Sequence, residues 1–408
     1  MRRRDFSQPV DMSRKQLLVI TERYWPEGGG AELATHLILE ILQKEFNIVV
    51  LTGTQNPTKL PGAQYIYEPL LAKREKVWLW LNASRLTTSQ RFQKILRKSD
   101  VVYIPRFSFP MIPHARKLGK KVIVHLHDYI PVSYTATILA PYEEHRYRIS
   151  RDDIMLECRR DLKHCLSAAT LWWLPTLARK WLTHADKITC VSKRQADIIT
   201  NLAPELTSKT EIAYNPLPSE LVNNHNIKEI DDIPTFLYIG GNAHIKGFHI
   251  IMSIIKGWRT KARFILTRIN NREIIHALSK LNDKNRKIEI YPWLNRDKVI
   301  ELYNRSWALL FPSIWEETFG YAVIEAALSK TVPIAFRAGA VGKVVEGTAM
   351  ENFVTNVYDV NQFVKKMVFI SRLSSSEVIA LGDRIRDDVI RKFDMEVIRY
   401  RLIKIFKQ

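Results

Sequence analysis

Two glutamates eight residues apart carry the sharpest chemical signal in this chain. They lie in the string Phe311-Pro-Ser-Ile-Trp-Glu316-Glu317-Thr-Phe-Gly320-Tyr-Ala-Val-Ile-Glu325-Ala. Glu317 sits before a glycine and an apolar helix, and Glu325 sits inside that helix between Val323, Ile324, Ala326 and Ala327. A carboxylate in such surroundings is costly unless it has a partner. Eight residues of helix rise about 12 Å, roughly the span from a sugar ring to a nucleotide ribose across a diphosphate. One carboxylate would then bind sugar hydroxyls and the other ribose hydroxyls. Upstream runs Tyr238-Ile-Gly240-Gly241-Asn-Ala-His-Ile-Lys246-Gly247. A glycine-bearing loop at a helix start suits phosphate, and Lys246 adds a point charge there.

The first half holds two further strings. Tyr24-Trp-Pro-Glu-Gly28-Gly29-Gly30-Ala-Glu opens the first long helix. Its glycines allow close approach of a ligand to the backbone, although three glycines also read as a plain turn. The spacing is not GxGxxG, so no dinucleotide fingerprint is present. His125-Leu-His127-Asp128 ends a buried run. His127 would hydrogen-bond a sugar hydroxyl or polarise a leaving group there, or simply serve as a structural histidine. The two histidines alternate, so they face one side of a strand. No third metal ligand accompanies them.

Short β-branched runs alternate with amphipathic segments, the pattern of parallel sheets covered by helices. Strands are expected at 16–21, 47–52, 101–105, 121–125, 187–191 and 211–214, with helices at 31–45, 77–98, 143–166 and 193–202. The turn-rich stretch 215–234 reads as a linker. Strands then resume at 235–239, 262–267, 287–291, 307–311 and 332–336, with helices at 247–258, 271–281, 297–303, 320–328 and 375–406. The expected division is an N-terminal Rossmann-like, acceptor-binding domain 1–225 and a C-terminal Rossmann-like, nucleotide-sugar-binding domain 226–392, with helix 393–408 packing back on the first. A cleft between the two would take ligands at the carboxyl ends of the strands.

Composition agrees with two cores. The chain has 408 residues, of which 46% are hydrophobic and 25% charged, and single cores rarely grow past roughly 250–300 residues. Net charge is +20 and spread over both halves, which favours anionic partners without choosing among them. No RNA-type or recognition-helix motif is present, so nucleic acid is not the expected partner. Cys158, Cys165 and Cys190 are odd in number and form no CxxC, and read as reduced thiols. Met-Arg-Arg-Arg has the charge of a signal start, but the apolar run 17–20 is too short to follow it. The expectation is a cytoplasmic protein. The aromatic and basic stretch around Trp172, Trp173 and Lys180, with Arg159, Arg160 and Lys163 upstream, suits an anionic membrane surface at the inner face, or packing on the first domain.

These strings together resemble the family-4 retaining glycosyltransferases, group 1, of GT-B architecture: two Rossmann-like domains with a cleft between them. The string from Glu316 to Ala326 resembles the family signature. The glycine turn, the Leu-His-Asp strand end, Cys190-Val-Ser-Lys-Arg-Gln, Ala213-Tyr-Asn-Pro, Tyr238-Ile-Gly-Gly and the closing helix follow in the family's order. The resemblance is specific from about 235 to 345 and loose before 225.

The resemblance implies a fold, a reaction and a set of roles. The reaction would be transfer of a sugar from a nucleoside diphosphate sugar to a hydroxyl acceptor, with retention. Lys246 would bind the donor diphosphate beside Gly240 and Gly241. Glu317 would contact the donor sugar, with the amides of Thr318, Phe319 and Gly320 nearby, and Glu325 would bind the ribose. Gly29 and Gly30 would line the diphosphate and acceptor side, and His127 would face the sugar. No cofactor and no metal are implied, since cations and amides stabilise the leaving diphosphate. A lipid-linked sugar or a growing polysaccharide are the acceptor classes left open. The chain departs from the family at two places: Gly241 stands where an arginine is usual, leaving His244 or Arg268 to supply that charge, and Lys343 stands where a glutamate is frequent. The alternatives are an epimerase or hydrolase of the same fold and an inactive polyanion-binding protein.

Overall fold

The computed structural model describes residues 13–73, 75–223 and 228–408. The charged start Met1–Arg4 and part of the stretch 215–234 lie outside the described residues. The chain divides into two compact units: Met1–Thr137 with Asp153–Pro216 and Met395–Gln408, and Ile138–Asp152 with Leu217–Asp394.

The first unit is built on seven strands: β1 (Gln16–Thr21), β2 (Asn47–Thr52), β3 (Gln64–Tyr67), β4 (Val101–Ile104), β5 (Lys121–Leu126), β6 (Lys187–Cys190) and β7 (Thr210–Ile212). All pair in parallel, in the order β3-β2-β1-β4-β5-β6-β7. The apolar runs are continuous because both faces are covered, so Leu17, Leu18, Val19 and Ile20 have no exposed surface. Burying a side chain of that size stabilises by about 1.5–3 kcal/mol. The order reverses between β1 and β4, which opens a crevice at their carboxyl ends.

The second unit repeats the plan. Its strands are β8 (Thr235–Tyr238), β9 (Ala262–Leu266), β10 (Arg286–Ile290), β11 (Ala308–Phe311), β12 (Val332–Phe336) and β13 (Val354–Thr355). They too are parallel, in the order β10-β9-β8-β11-β12-β13. The switch point falls between β8 and β11, where the two C-terminal motifs emerge.

Three long helices expected from periodicity are broken. Residues 77–98 form helices Lys76–Leu86 and Gln90–Lys98. Between them the Thr87 and Thr88 hydroxyls donate back to Ser84 and Arg85 carbonyls, and Ser89 caps the second helix. Residues 375–406 split into Ser375–Lys392 and Met395–Lys407. Residues 143–166 split into Tyr142–His145, Ile149–Cys158 and Leu162–Leu171, the last capped by Asp161.

That last break corrects the reading of the cysteines. Cys158 ends one helix and Cys165 lies in the first turn of the next, and the turn between the helices brings the two sulfurs into a disulfide. A continuous helix would have held them two turns apart. Cys190 is a free, buried thiol.

Candidate active site

In the second unit the loop after β8 and the loop after β11 are stitched together. Ile314 N–H donates to the Ile245 carbonyl at 2.9 Å. Gly247 has φ +76, and a Cβ there would lie 2.0 Å from the Pro312 oxygen. This close approach requires glycine. It seats the turn His244–Lys246 against the strand end that carries Glu317.

Glu317 is buried, and one carboxylate oxygen gathers three donors. Lys246 Nζ reaches Oε1 at 2.6 Å, Ser313 Oγ at 2.7 Å and Trp315 Nε1 at 2.6 Å. Lys246 also lies over the Trp315 ring at 4.8 Å. Glu316 faces elsewhere: its Oε1 accepts from Tyr142 N–H at 2.6 Å. The Glu317 carbonyl accepts from Ala340 N–H at 2.7 Å, an approach made by Gly339 at φ +62. Thr318 and Phe319 are buried, and Gly320, at φ +86, starts the helix Tyr321–Leu328.

Glu325 has the partner its buried position demanded. Arg296 NH1 pairs with its Oε1, and Tyr303 OH donates to Oε2 at 3.4 Å. Arg296 also reaches Glu220 at 2.9 Å. Burial would lower the Arg296 pKa, but Glu325 and Glu220 hold it above the usual arginine value. Burial, reinforced by Glu325, pushes the Tyr303 phenol far up, so it stays a neutral donor.

Gly240 and Gly241 follow β8 directly. A Cβ at Gly240 would crowd the Tyr238 hydroxyl and Lys246 Cβ. Gly241 has φ +65 and packs against Arg268, whose backbone oxygen would stand 3.1 Å from an added Cβ. Arg268 is exposed, has φ 61, and lies near enough to Tyr303 to bias its titration. Of Arg268, it is the backbone and Cβ that come nearest Gly241.

In the first unit, Gly28 has φ +100 and leaves room for the Glu32 carboxylate, which accepts from Gly29 N–H at 2.7 Å. Glu32 pairs with Arg106 NH1, and Arg106 Nε donates to Glu22 Oε1 at 2.8 Å. Burial opposes the Arg106 charge, but Glu32 and Glu22 outweigh it and raise its pKa. Gly29 and Gly30 thus sit at the start of the helix Gly30–Leu42, above an arginine clamp. His125 and His127 stack at 4.5 Å, and Tyr103 OH contacts His125 Nδ1 at 3.0 Å. Burial lowers the His125 pKa to about 3. Burial, His125 and Arg106 lower that of His127, so both imidazoles are neutral. Gln195 donates to the Leu126 and Asp128 carbonyls at 3.0 Å and fixes the segment.

The structure therefore joins Lys246 to Glu317 directly and gives Glu325 its own arginine and tyrosine. Sequence reasoning missed Arg296, Tyr303, Glu22 and Arg106. Arg296 lies 29 residues before Glu325, and no local pattern pairs them. Glu22 and Arg106 lie just after β1 and β4, and the topological switch was the one available signal.

Residues 223–377 match the family described as glycosyl transferases group 1. No curated protein matches the chain. Among solved structures, sucrose-phosphate synthase of Thermosynechococcus elongatus is 13% identical with a TM-score of 0.71, covering 97% of this chain and 99% of its own. HepE of Anabaena in complex with UDP and glucose is 14% identical with a TM-score of 0.65, covering 96% and 99%. The E. coli trehalose-6-phosphate protein bound with UDP-2-fluoro glucose is 12% identical with a TM-score of 0.64, covering 97% and 99%. The fold is GT-B. Lys246, Arg296, Glu317 and Glu325 all fall inside the matched segment.

Proposed function

We propose that this chain is a retaining glycosyltransferase that moves a sugar from a nucleoside diphosphate sugar to an acceptor hydroxyl. The observation that carries this is the pairing of Lys246 with Glu317 at the β8/β11 switch point, with Glu325 in the helix that follows. In this reading the diphosphate lies against Lys246 and the amides around Gly240 and Gly241. Glu317 and the amides of Thr318, Phe319 and Gly320 hold the sugar, and Glu325 holds the ribose hydroxyls. The bond from the anomeric carbon to the diphosphate breaks, a bond to the acceptor oxygen forms on the same face, and the acceptor proton leaves with the diphosphate. Lys246 and backbone dipoles stabilise the departing charge without a metal. His127 is held neutral by burial, so it brings no charge of its own. UDP is the nucleotide to test first, since two of the similar structures carry UDP or a UDP-sugar.

Titration of UDP-, GDP-, ADP- and dTDP-sugars by calorimetry, with product analysis in the presence of EDTA, tests the reading. Binding of one donor and EDTA-resistant transfer with retained configuration support it. Failure of all four donors to bind removes it.

The work site in this reading is an anionic membrane surface on the inner face, with a lipid-linked or polymeric acceptor. Among the described residues no helix is long and apolar enough to cross a membrane. The helix Leu162–Leu171 and the turn after it instead leave large apolar side chains in solvent: Leu162 is 74% exposed and Trp172 55%, with Leu166 and Trp173 beside them. Arg159, Arg160 and Lys163 flank them, the composition of a surface that rests on anionic lipid. Flotation with phosphatidylglycerol vesicles should carry the wild type upward and leave a Trp172→Ala, Trp173→Ala variant behind. A wild type that stays at the bottom at low salt ends this part of the reading.

A further inference from the structure

A second recess lies wholly within the first unit, at the carboxyl ends of β1, β2 and β3. Its volume is about 220 Å³ and its lining includes Glu22, Arg23, Gln55, Asn56, Tyr67 and Lys73. Drug-sized and cofactor sites run roughly 300–1,000 Å³, so this recess suits a single ring and not a nucleotide. Gly53 shapes its wall: a Cβ there would lie 2.6 Å from the Leu71 oxygen.

Glu22 is the informative residue. Its side chain is 5% exposed, and its Oε1 is taken by Arg106. Its Oε2 is buried and has no hydrogen-bond partner among the described residues. A buried carboxylate oxygen without a donor is expensive, and the deficit is met when a ligand brings a hydroxyl. Tyr67, steadied by Gln55 Nε2 on its hydroxyl at 3.4 Å, offers a half-open ring beside it. Asn56 adds an amide with donors and acceptors.

The charges around the recess balance. Glu22 and Glu27 line it and Glu32 shares Arg106 with Glu22, while Arg23, Lys73 and Arg106 oppose them. Among the described residues three carboxylates face three cations, so the surplus positive charge of the whole chain is not focused here. An acidic sugar would meet the Glu22 carboxylate without a compensating excess of cations.

We propose that this recess is a binding site for one neutral sugar ring, the reducing or terminal residue of the acceptor, anchored by a hydroxyl donated to Glu22 Oε2. As an acceptor site it rests on the glycosyltransferase reading; as a sugar site it stands by itself. Saturation-transfer NMR on the full chain tests it with methyl α-glucoside, N-acetylglucosamine, glucose 6-phosphate and glucuronic acid. UDP binding is followed in parallel by calorimetry, and folding by circular dichroism. The neutral sugars should bind, each of Tyr67→Ala and Asn56→Ala should weaken them about tenfold while UDP titrates as in the wild type, and Glu22→Gln should weaken them by a similar factor. Wild-type protein that binds UDP but neither neutral sugar overturns the proposal. So do tighter binding of the acidic sugars, or neutral-sugar affinities that none of the three variants changes. Neutral-sugar binding that depends on Glu22 and Tyr67 in a chain that ignores UDP would support the recess and defeat the donor reading.

Discussion

Lys246 Nζ rests 2.6 Å from Glu317 Oε1. The lysine proposed to hold a diphosphate is thus paired with the glutamate proposed to hold the sugar. The pair keeps both charges in place before a ligand arrives. Lys246→Ala should weaken nucleotide-sugar binding at least tenfold, as loss of a charge-assisted contact predicts. It should also cost about 1–3 kcal/mol of stability, because Glu317 then keeps only Ser313 and Trp315. Calorimetric titration and urea unfolding read the two effects separately. Donor binding equal to wild type would remove Lys246 from the site.

Glu317→Gln should fold normally, because the amide oxygen still accepts from Ser313 and Trp315. Turnover should fall by at least tenfold while nucleotide affinity changes little. A variant with full turnover would show that the carboxylate charge has no part in the reaction.

Glu325→Ala should reduce UDP affinity about tenfold, through loss of two ribose hydrogen bonds. Arg296 retains Glu220, so the variant should stay folded with a lower melting temperature. Titration of UDP against uracil separates the ribose contribution. Equal loss for both ligands would point to a collapsed site and not to a missing ribose contact.

Gly247→Ala should destabilise by more than about 1 kcal/mol, from its positive φ and the 2.0 Å approach to Pro312. Gly257→Ala, where nothing lies within 4 Å of the new methyl, should be neutral or stabilising by up to about 1 kcal/mol. Chemical denaturation of both variants checks the contrast, and equal effects would refute it.

The much lowered pKa of buried His125 makes stability depend on pH. Unfolded, the ring titrates near 6.5; folded, it does so at about 3. The unfolded state therefore binds more protons in between, so stability is whole above 6.5 and falls as the pH drops toward 3. The slope for this residue reaches about 1.4 kcal/mol per pH unit. His125→Gln should flatten the stability curve between pH 6 and 4. An unchanged slope would mean that His125 is not held neutral in the fold.

The parallel-sheet plan was legible because both-face burial leaves unbroken apolar runs. Strands β1, β2 and β12 begin and end where those runs do. Strand β3 was not legible: it is a four-residue edge strand with no fully buried residue. The broken helices hide their breaks in Thr87-Thr88-Ser89 and Asp161, residues whose side chains compete for backbone groups without interrupting an apolar stripe. Glu317, Lys246 and Glu325 were visible as charges out of place among glycines and apolar residues. Arg296, Tyr303 and Arg106 were not, because each is an ordinary residue at an ordinary helix or strand end until the fold brings its carboxylate to it.

The helix Met395–Lys407 returns to the first unit. Lys121 Nζ donates to the Ile405 and Phe406 carbonyls at 3.0 Å, Phe406 packs on Tyr103 at 5.0 Å, and Lys407 reaches Glu45 at 2.5 Å. The ribosome thus makes β5 some 270 residues before this covering helix. Until translation reaches that helix, Tyr103 and the backbone around Lys121 lack their cover, so this sheet waits on a piece made long after its strands.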